Sequence, residues 1–205
     1  MLERKLAELI QQMIEERLIE SNEKEKYMYV YTCIAEKILT VGSILILSII
    51  RNNLIPAIFF LIFFFTLRKR TGGYHADTFI QCYFGTIIIY FMVSELSYFL
   101  QNHVLYVMII TLVALFIIEF IGTINHPNIK MNQDELMQSK KAARINGIVE
   151  ECIIIFLVLI KVNSVFVLHL AFAVILCATL MCIAKLIKQE EKEDEKEKQT
   201  NFESS

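Results

Sequence analysis

Apolar residues along this chain gather into six long runs, at about residues 30–50, 53–67, 79–100, 104–121, 147–161 and 164–187, with the charges confined between them. A straight helical crossing of a bilayer takes about 20 residues. The first, third and sixth runs meet that comfortably. The second and fifth are short, and the fifth carries Glu150 and Glu151 near its start. Ahead of the runs, residues 2–20 repeat differently. Leu2, Leu6, Leu9 and Met13, with Ile10, Ile14 and Leu18, recur at helical spacing while charges fill the opposite face. That is an amphipathic helix too polar to span, suited to lying on a membrane surface or against a partner helix. The pattern predicts an all-α integral membrane protein: six transmembrane helices, two of them short, plus an N-terminal amphipathic interfacial helix. Three units follow: helix and linker over 1–29, a membrane domain over 30–187, and a charged tail over 188–205. The tail mixes both charge signs with almost no apolar residue, so it is expected to be solvated.

Composition agrees with the pattern. Of 205 residues, 56 % are hydrophobic, and there are 15 Phe against 6 Gly and 2 Pro; mean hydropathy is +0.52. The net charge of −2 leaves no electrostatic footprint for nucleic acid. The first 28 residues lack the basic-then-apolar layout of a signal peptide. Five cysteines (Cys33, Cys82, Cys152, Cys177 and Cys182) are scattered mostly through apolar segments, with no CxxC or CxxH pair. Neither a disulfide framework nor a metal site is expected, and no cofactor is implied.

Lysines and arginines fix the expected orientation. Counted by loop, 18 of the 20 fall in the N-terminal region, after the second run, after the fourth run, or in the tail; only Arg51 and Lys161 lie in the alternate loops. With six spans and both termini in the cytoplasm, nearly all positive charge stays inside. Omitting runs two and five would export Arg68-Lys69-Arg70. Residues 122–146 then form the one sizeable polar loop, whose MNQDELMQSKKAAR stretch has helix-forming composition.

The chemistry concentrates at 68–82, Arg68-Lys69-Arg70-Thr71-Gly72-Gly73-Tyr74-His75-Ala76-Asp77-Thr78-Phe79-Ile80-Gln81-Cys82, at the cytoplasmic junction of runs two and three. The Gly-Gly pair permits positive φ and so a tight re-entry into the next helix. His75 and Cys82 are seven apart, nearly two turns. On one continuous helix they would share a face but stand about 10 Å apart along the axis, too far for a thiol–base hydrogen bond of about 3 Å. A dyad therefore requires His75 to precede the helix and fold back. The basic run and a helix N-terminus near Thr78 would both favour a thiolate. Spacing alone leaves a second reading open, an interfacial histidine, a packing cysteine and a purely topogenic RKR anchor.

The short basic run, a Gly just before a His, and a Cys seven residues after it, between two spans of a chain of this size, resemble the accessory gene regulator B family. The likeness covers nearly the whole chain: amphipathic start, six apolar segments, polar loop after the fourth. It implies a membrane cysteine endopeptidase that matures a quorum-sensing propeptide, with Cys82 as nucleophile and His75 as base, and with Arg68 and Gly73 at positions that also matter in the family. The implied substrate is a short peptide with an amphipathic N-terminal helix, a central segment that closes as a thiolactone or lactone, and an acidic C-terminal tail that is removed. Lys69 and Arg70, with Arg68, have the charge to hold such a tail, and Gln81 could donate to an oxyanion.

Other polar residues in apolar runs are suspects by default. Glu95 and Glu119 are expected near the outer ends of their segments, and His169 is expected to hydrogen-bond between helices. A small transporter or export-assisting protein using Glu95, Glu119 and His169, or a peptide-binding scaffold, is the alternative; no internal duplication supports a transporter. Membrane lipid is a necessary partner, and the lipid-facing surface leaves room for a homodimer.

Overall fold

A computed structural model describes residues 9–14, 16, 24–73, 79–124 and 133–187. Among these residues the protein is all helical. The six long helices are α1 (Lys24–Ile50), α2 (Leu54–Thr71), α3 (Phe79–Phe99), α4 (Val104–Ile121), α5 (Gln133–Leu159) and α6 (Ser164–Leu186). Residues 9–14 of the amphipathic stretch are also helical, with Ile10 buried and Leu9 exposed, and Lys24 Nζ donates to Gln11 Oε1 at 3.2 Å. The tail from 188 lies outside the described residues.

Each apolar run is a helix, and three extend further than apolarity indicates. α1 starts at Lys24, six residues ahead of its run. α2 continues through Arg68-Lys69-Arg70 to Thr71, since straight-chain basic residues are good helix formers and suit a helix C-terminus. α5 runs from Gln133 to Leu159, so the QDELMQSKKAAR stretch and nearly all of the fifth run lie on one 27-residue helix. Gly147 does not break it, and a Cβ there would lie 2.9 Å from Leu115 Cδ1, so the glycine admits close packing of α4.

The bundle is built around α6. Its buried set includes Val167, Leu170, Ala171, Ala173, Val174, Cys177, Ala178, Met181 and Ala184, and the small residues among them let neighbours approach closely. α6 packs most extensively on α2 and α4, and also on α3 and α5, whereas α1 packs on α2 and α3. Asn163 caps α6, its Oδ1 accepting from Val165 N and Phe166 N at 2.9 and 3.3 Å. The opposite, lipid-like face is clearest on α4, where Leu105, Tyr106, Ile109, Ile110, Phe116 and Phe120 are exposed. A continuous apolar surface of that kind is unfavourable in water. Among the described residues, three helices (α3 from Ile80, α4 and α6) are long and apolar enough to cross a bilayer. The chain is a membrane protein.

Short turns join α1 to α2, α3 to α4 and α5 to α6, at one end of the bundle. There Asn53 and His169 are buried, and Asn53 Nδ2 lies 2.9 Å from His169 Nε2 and 3.5 Å from Ser94 Oγ. His169 Nδ1 sits 2.7 Å from the Val165 carbonyl. A carbonyl can only accept, so Nδ1 carries the proton; Nε2 is then the acceptor and the Asn53 amide donates to it. His169 thus links α6 to α2. Arg51 pairs with Glu95 at this end and lies 5.2 Å over the Phe91 ring. Glu119 corrects its expected position. It belongs to the opposite end, beside the basic junction, where Arg144 Nε lies 3.6 Å from its Oε2 and donates to its backbone carbonyl at 3.1 Å. α4 runs antiparallel to α3, so equal distance from a segment's C-terminal end means opposite ends of the bundle.

Candidate functional site

The end of α2 and the end of α4 are sewn together. Ile124 N donates to the Thr71 carbonyl at 2.9 Å, and Thr123 Oγ1 donates to the Arg70 carbonyl at 2.9 Å. Thr71 is fully buried, its hydroxyl donating back to the Leu67 carbonyl at 3.1 Å. Gly72 (φ +67°) closes α2, its N–H donating to the Arg68 carbonyl, and a Cβ there would stand 2.6 Å from the Ile124 carbonyl oxygen. Gly73 has φ +116°, a region L side chains rarely enter. A Cβ at Gly73 would overlap Arg68 Nη1 and lie 3.2 Å from the Leu180 carbonyl carbon of α6. Both glycines are therefore required by conformation and by space.

Arg68 is the residue this bend encloses. Its Nη1 donates to the Gly72 carbonyl at 2.5 Å. Burial holds its guanidinium below the ordinary arginine range, while the sulfurs of Cys177 and Cys82 pull the other way. Arg68 thus lies within electrostatic reach of a sulfur on α6 and of one on α3. Cys177 is fully buried, 3.7 Å from the Phe64 carbonyl. Cys82 is an exposed free thiol on the fourth described residue of α3. Thr86 Oγ1 donates to the Cys82 carbonyl at 2.7 Å.

Of the residues singled out in the sequence, Arg68 and Gly73 are in direct contact, and Cys82 is near enough to Arg68 to feel its charge. Lys69 and Arg70 are exposed on the last turn of α2, and Gln81 is exposed beside Cys82. His75 and Asp77 fall in 74–78, outside the described residues. Three features were not anticipated. Thr71, Thr123 and Ile124 form the seam that fixes the bend; Cys177 comes from a helix nearly a hundred residues further on. Glu150 and Glu151 are buried in α5 with no hydrogen-bond partner for their carboxyl oxygens among the described residues. Only the two glutamates carried a signal in sequence, as adjacent charges inside an apolar run. No group of three or more His, Cys, Asp or Glu suited to a metal occurs among the described residues.

A model of the accessory gene regulator B (AgrB) family matches residues 5–187. The chain belongs to this family. The match takes in all six helices and the whole junction from Arg68 to Cys82. Membership in AgrB implies a role in processing an autoinducing propeptide for quorum sensing. No individually curated protein and no solved structure matches the chain.

Proposed function

We propose that this AgrB protein is a cysteine endopeptidase of the cell membrane, with six spans, the residue 2–20 helix at the interface and both termini in the cytoplasm. It cuts the acidic C-terminal tail from a short amphipathic propeptide. The Cys82 thiolate attacks the carbonyl preceding the tail, His75 takes the thiol proton and returns it to the leaving amine, and an acyl-thioester on Cys82 results. A Cys or Ser within the substrate then displaces Cys82, so the acyl energy is kept in a thiolactone or lactone ring and the thiol is regenerated. A reaction at the membrane boundary limits water, which favours ring closure over hydrolysis. Lys69 and Arg70 hold the acidic tail, and Gln81 donates to the oxyanion.

One observation carries this reading: an exposed thiol near the start of α3 whose sulfur acts on the charge of a half-buried arginine that a double-glycine bend holds in place. Cys177 is covered by the core; Cys152 is exposed as Cys82 is, but it lies within the apolar run of α5, away from the glycine bend. Co-expression with the propeptide of the adjacent reading frame tests it, with mass determination of both fragments. Wild type yields the freed tail and a cyclic product; Cys82→Ala yields neither while inserting normally. Cleavage surviving in Cys82→Ala would leave the non-catalytic peptide-binding or export reading.

A further inference from the structure

The first turns of α3 are sparsely packed. Ile80, Gln81, Cys82 and Phe84 are exposed, and among residues 80–84 only Tyr83 is partly covered. Tyr83 Oη lies 2.8 Å from Ser43 Oγ of α1. Ser43 Oγ also lies 2.9 Å from the Leu39 carbonyl one turn earlier, to which it donates. A serine hydroxyl has one proton, so Ser43 is the acceptor towards Tyr83, and the phenol donates. α1 and α3 also pack on one another, but loosely beside this bond. A Cβ at Gly42 beside Ser43, or at Gly85 one turn beyond Cys82, would meet nothing within 4 Å. Successive helical residues are turned about 100° from one another. Fixing Tyr83 against α1 therefore restrains the first described turns of α3, beyond the reach of its buried face at Tyr90, Val93, Ser94 and Ser97, and with them the direction of the neighbouring sulfur.

We propose that the Tyr83–Ser43 hydrogen bond is a positioning latch that aims Cys82 at the scissile carbonyl. The inference rests on the reading of Cys82 as nucleophile. Tyr83 does not touch the reacting atoms. It sets their approach angle, a quantity to which acyl transfer is sensitive. A small alkylating reagent, which can approach an exposed thiol from many directions, is insensitive to that angle.

The test uses full-length protein in lipid nanodiscs and the adjacent-frame propeptide. Tyr83→Phe is expected to lower the single-turnover cleavage rate about tenfold with KM within about twofold, while iodoacetamide labels Cys82 at the wild-type rate. Ser43→Ala, a mild change on a partly exposed helix face, gives the same loss and serves should Tyr83→Phe insert poorly. The double variant is no slower than either single one, and Ser43→Thr, which keeps the hydroxyl, cleaves at close to the wild-type rate. Wild-type cleavage by Ser43→Ala, losses that multiply in the double variant, or labelling that falls in step with cleavage would each overturn the latch. Cys82→Ala run alongside separates the two levels. If it still cleaves, the nucleophile assignment fails and the latch with it; if it is inactive while Tyr83→Phe and Ser43→Ala are fully active, only the latch fails.

Discussion

Gly73→Ala is the perturbation that most sharply separates the chemistry of the junction from the stability of the bundle. At φ +116° an alanine is strained by about 1–3 kcal/mol. Its methyl also overlaps Arg68 Nη1 and approaches the Leu180 carbonyl carbon to 3.2 Å. The α6 backbone cannot yield, because α6 is the most enclosed helix of the bundle, so the guanidinium must. Arg68 then loses its charge-assisted bond to the Gly72 carbonyl, worth about 1.5–3 kcal/mol. Even if relaxation recovers half of the combined cost, roughly 2 kcal/mol remains, which depopulates the state with Arg68 in place about thirtyfold. The expected result is a drop of at least that size in single-turnover cleavage, while the rest of the bundle stays folded. Folding is read from maleimide labelling of the Cys177 peptide, resolved by mass from the exposed Cys82 and Cys152, because the buried Cys177 thiol should react only on unfolding. Gly72→Ala is the internal comparison. Its Cβ would strike the Ile124 carbonyl, so the α2–α4 seam itself is strained and the Cys177 midpoint falls as well. A Gly73→Ala protein that cleaves at the wild-type rate would refute the claim that the bend holds Arg68 for catalysis.

Other outcomes follow from the same contacts. Lys69→Glu with Arg70→Glu should raise the KM for a propeptide with an acidic tail several-fold, and the loss should shrink in high salt, because both residues are exposed and screened; an unchanged KM in a correctly inserted protein removes their role in tail binding. His169→Phe strands the Asn53 amide in a buried site, at a cost of about 1–3 kcal/mol. A thermal midpoint unchanged by dye labelling would contradict that. Combined with Asn53→Leu it should cost less than the two changes summed. Glu151→Leu should raise the midpoint, since a buried carboxyl without a partner is unfavourable and an apolar side chain of similar volume is not; a lowered midpoint would show that the carboxyl is paired.

Sequence patterning located the helices because a span must be apolar along its length, so the runs at 79–100, 104–121 and 164–187 lie within a residue of α3, α4 and α6. It marked the start of α1, the end of α2 and the start of α5 less well for the same reason. Apolarity reports where lipid or core begins, whereas the helical hydrogen-bond ladder continues through any good helix former, here Arg68–Arg70 and Gln133–Asn146. The parity of each segment, rather than its composition, decides which end of the bundle a residue occupies, and Glu119 was misjudged on that account. At the site, the glycine pair was legible as a bend, since few residues but glycine accept positive φ. What the bend encloses was not. The bond of Arg68 to Gly72 is local, four residues on, but the contacts of Gly73 with Leu180 and of Thr71 with Ile124 depend on which helices meet and join residues more than fifty positions apart. The Ser43–Tyr83 bond spans forty residues and has no sequence signature.

The covalent step can be observed on the enzyme itself. A propeptide whose ring-forming Cys or Ser is replaced by alanine can still acylate the enzyme but cannot cyclise. Rapid acid quench and mass analysis of the proteolysed enzyme should then find the N-terminal portion of the propeptide attached to the peptide containing Cys82, and to no peptide bearing Cys33, Cys152, Cys177 or Cys182. Tail release without any adduct on Cys82, or an adduct on another residue, would contradict the account.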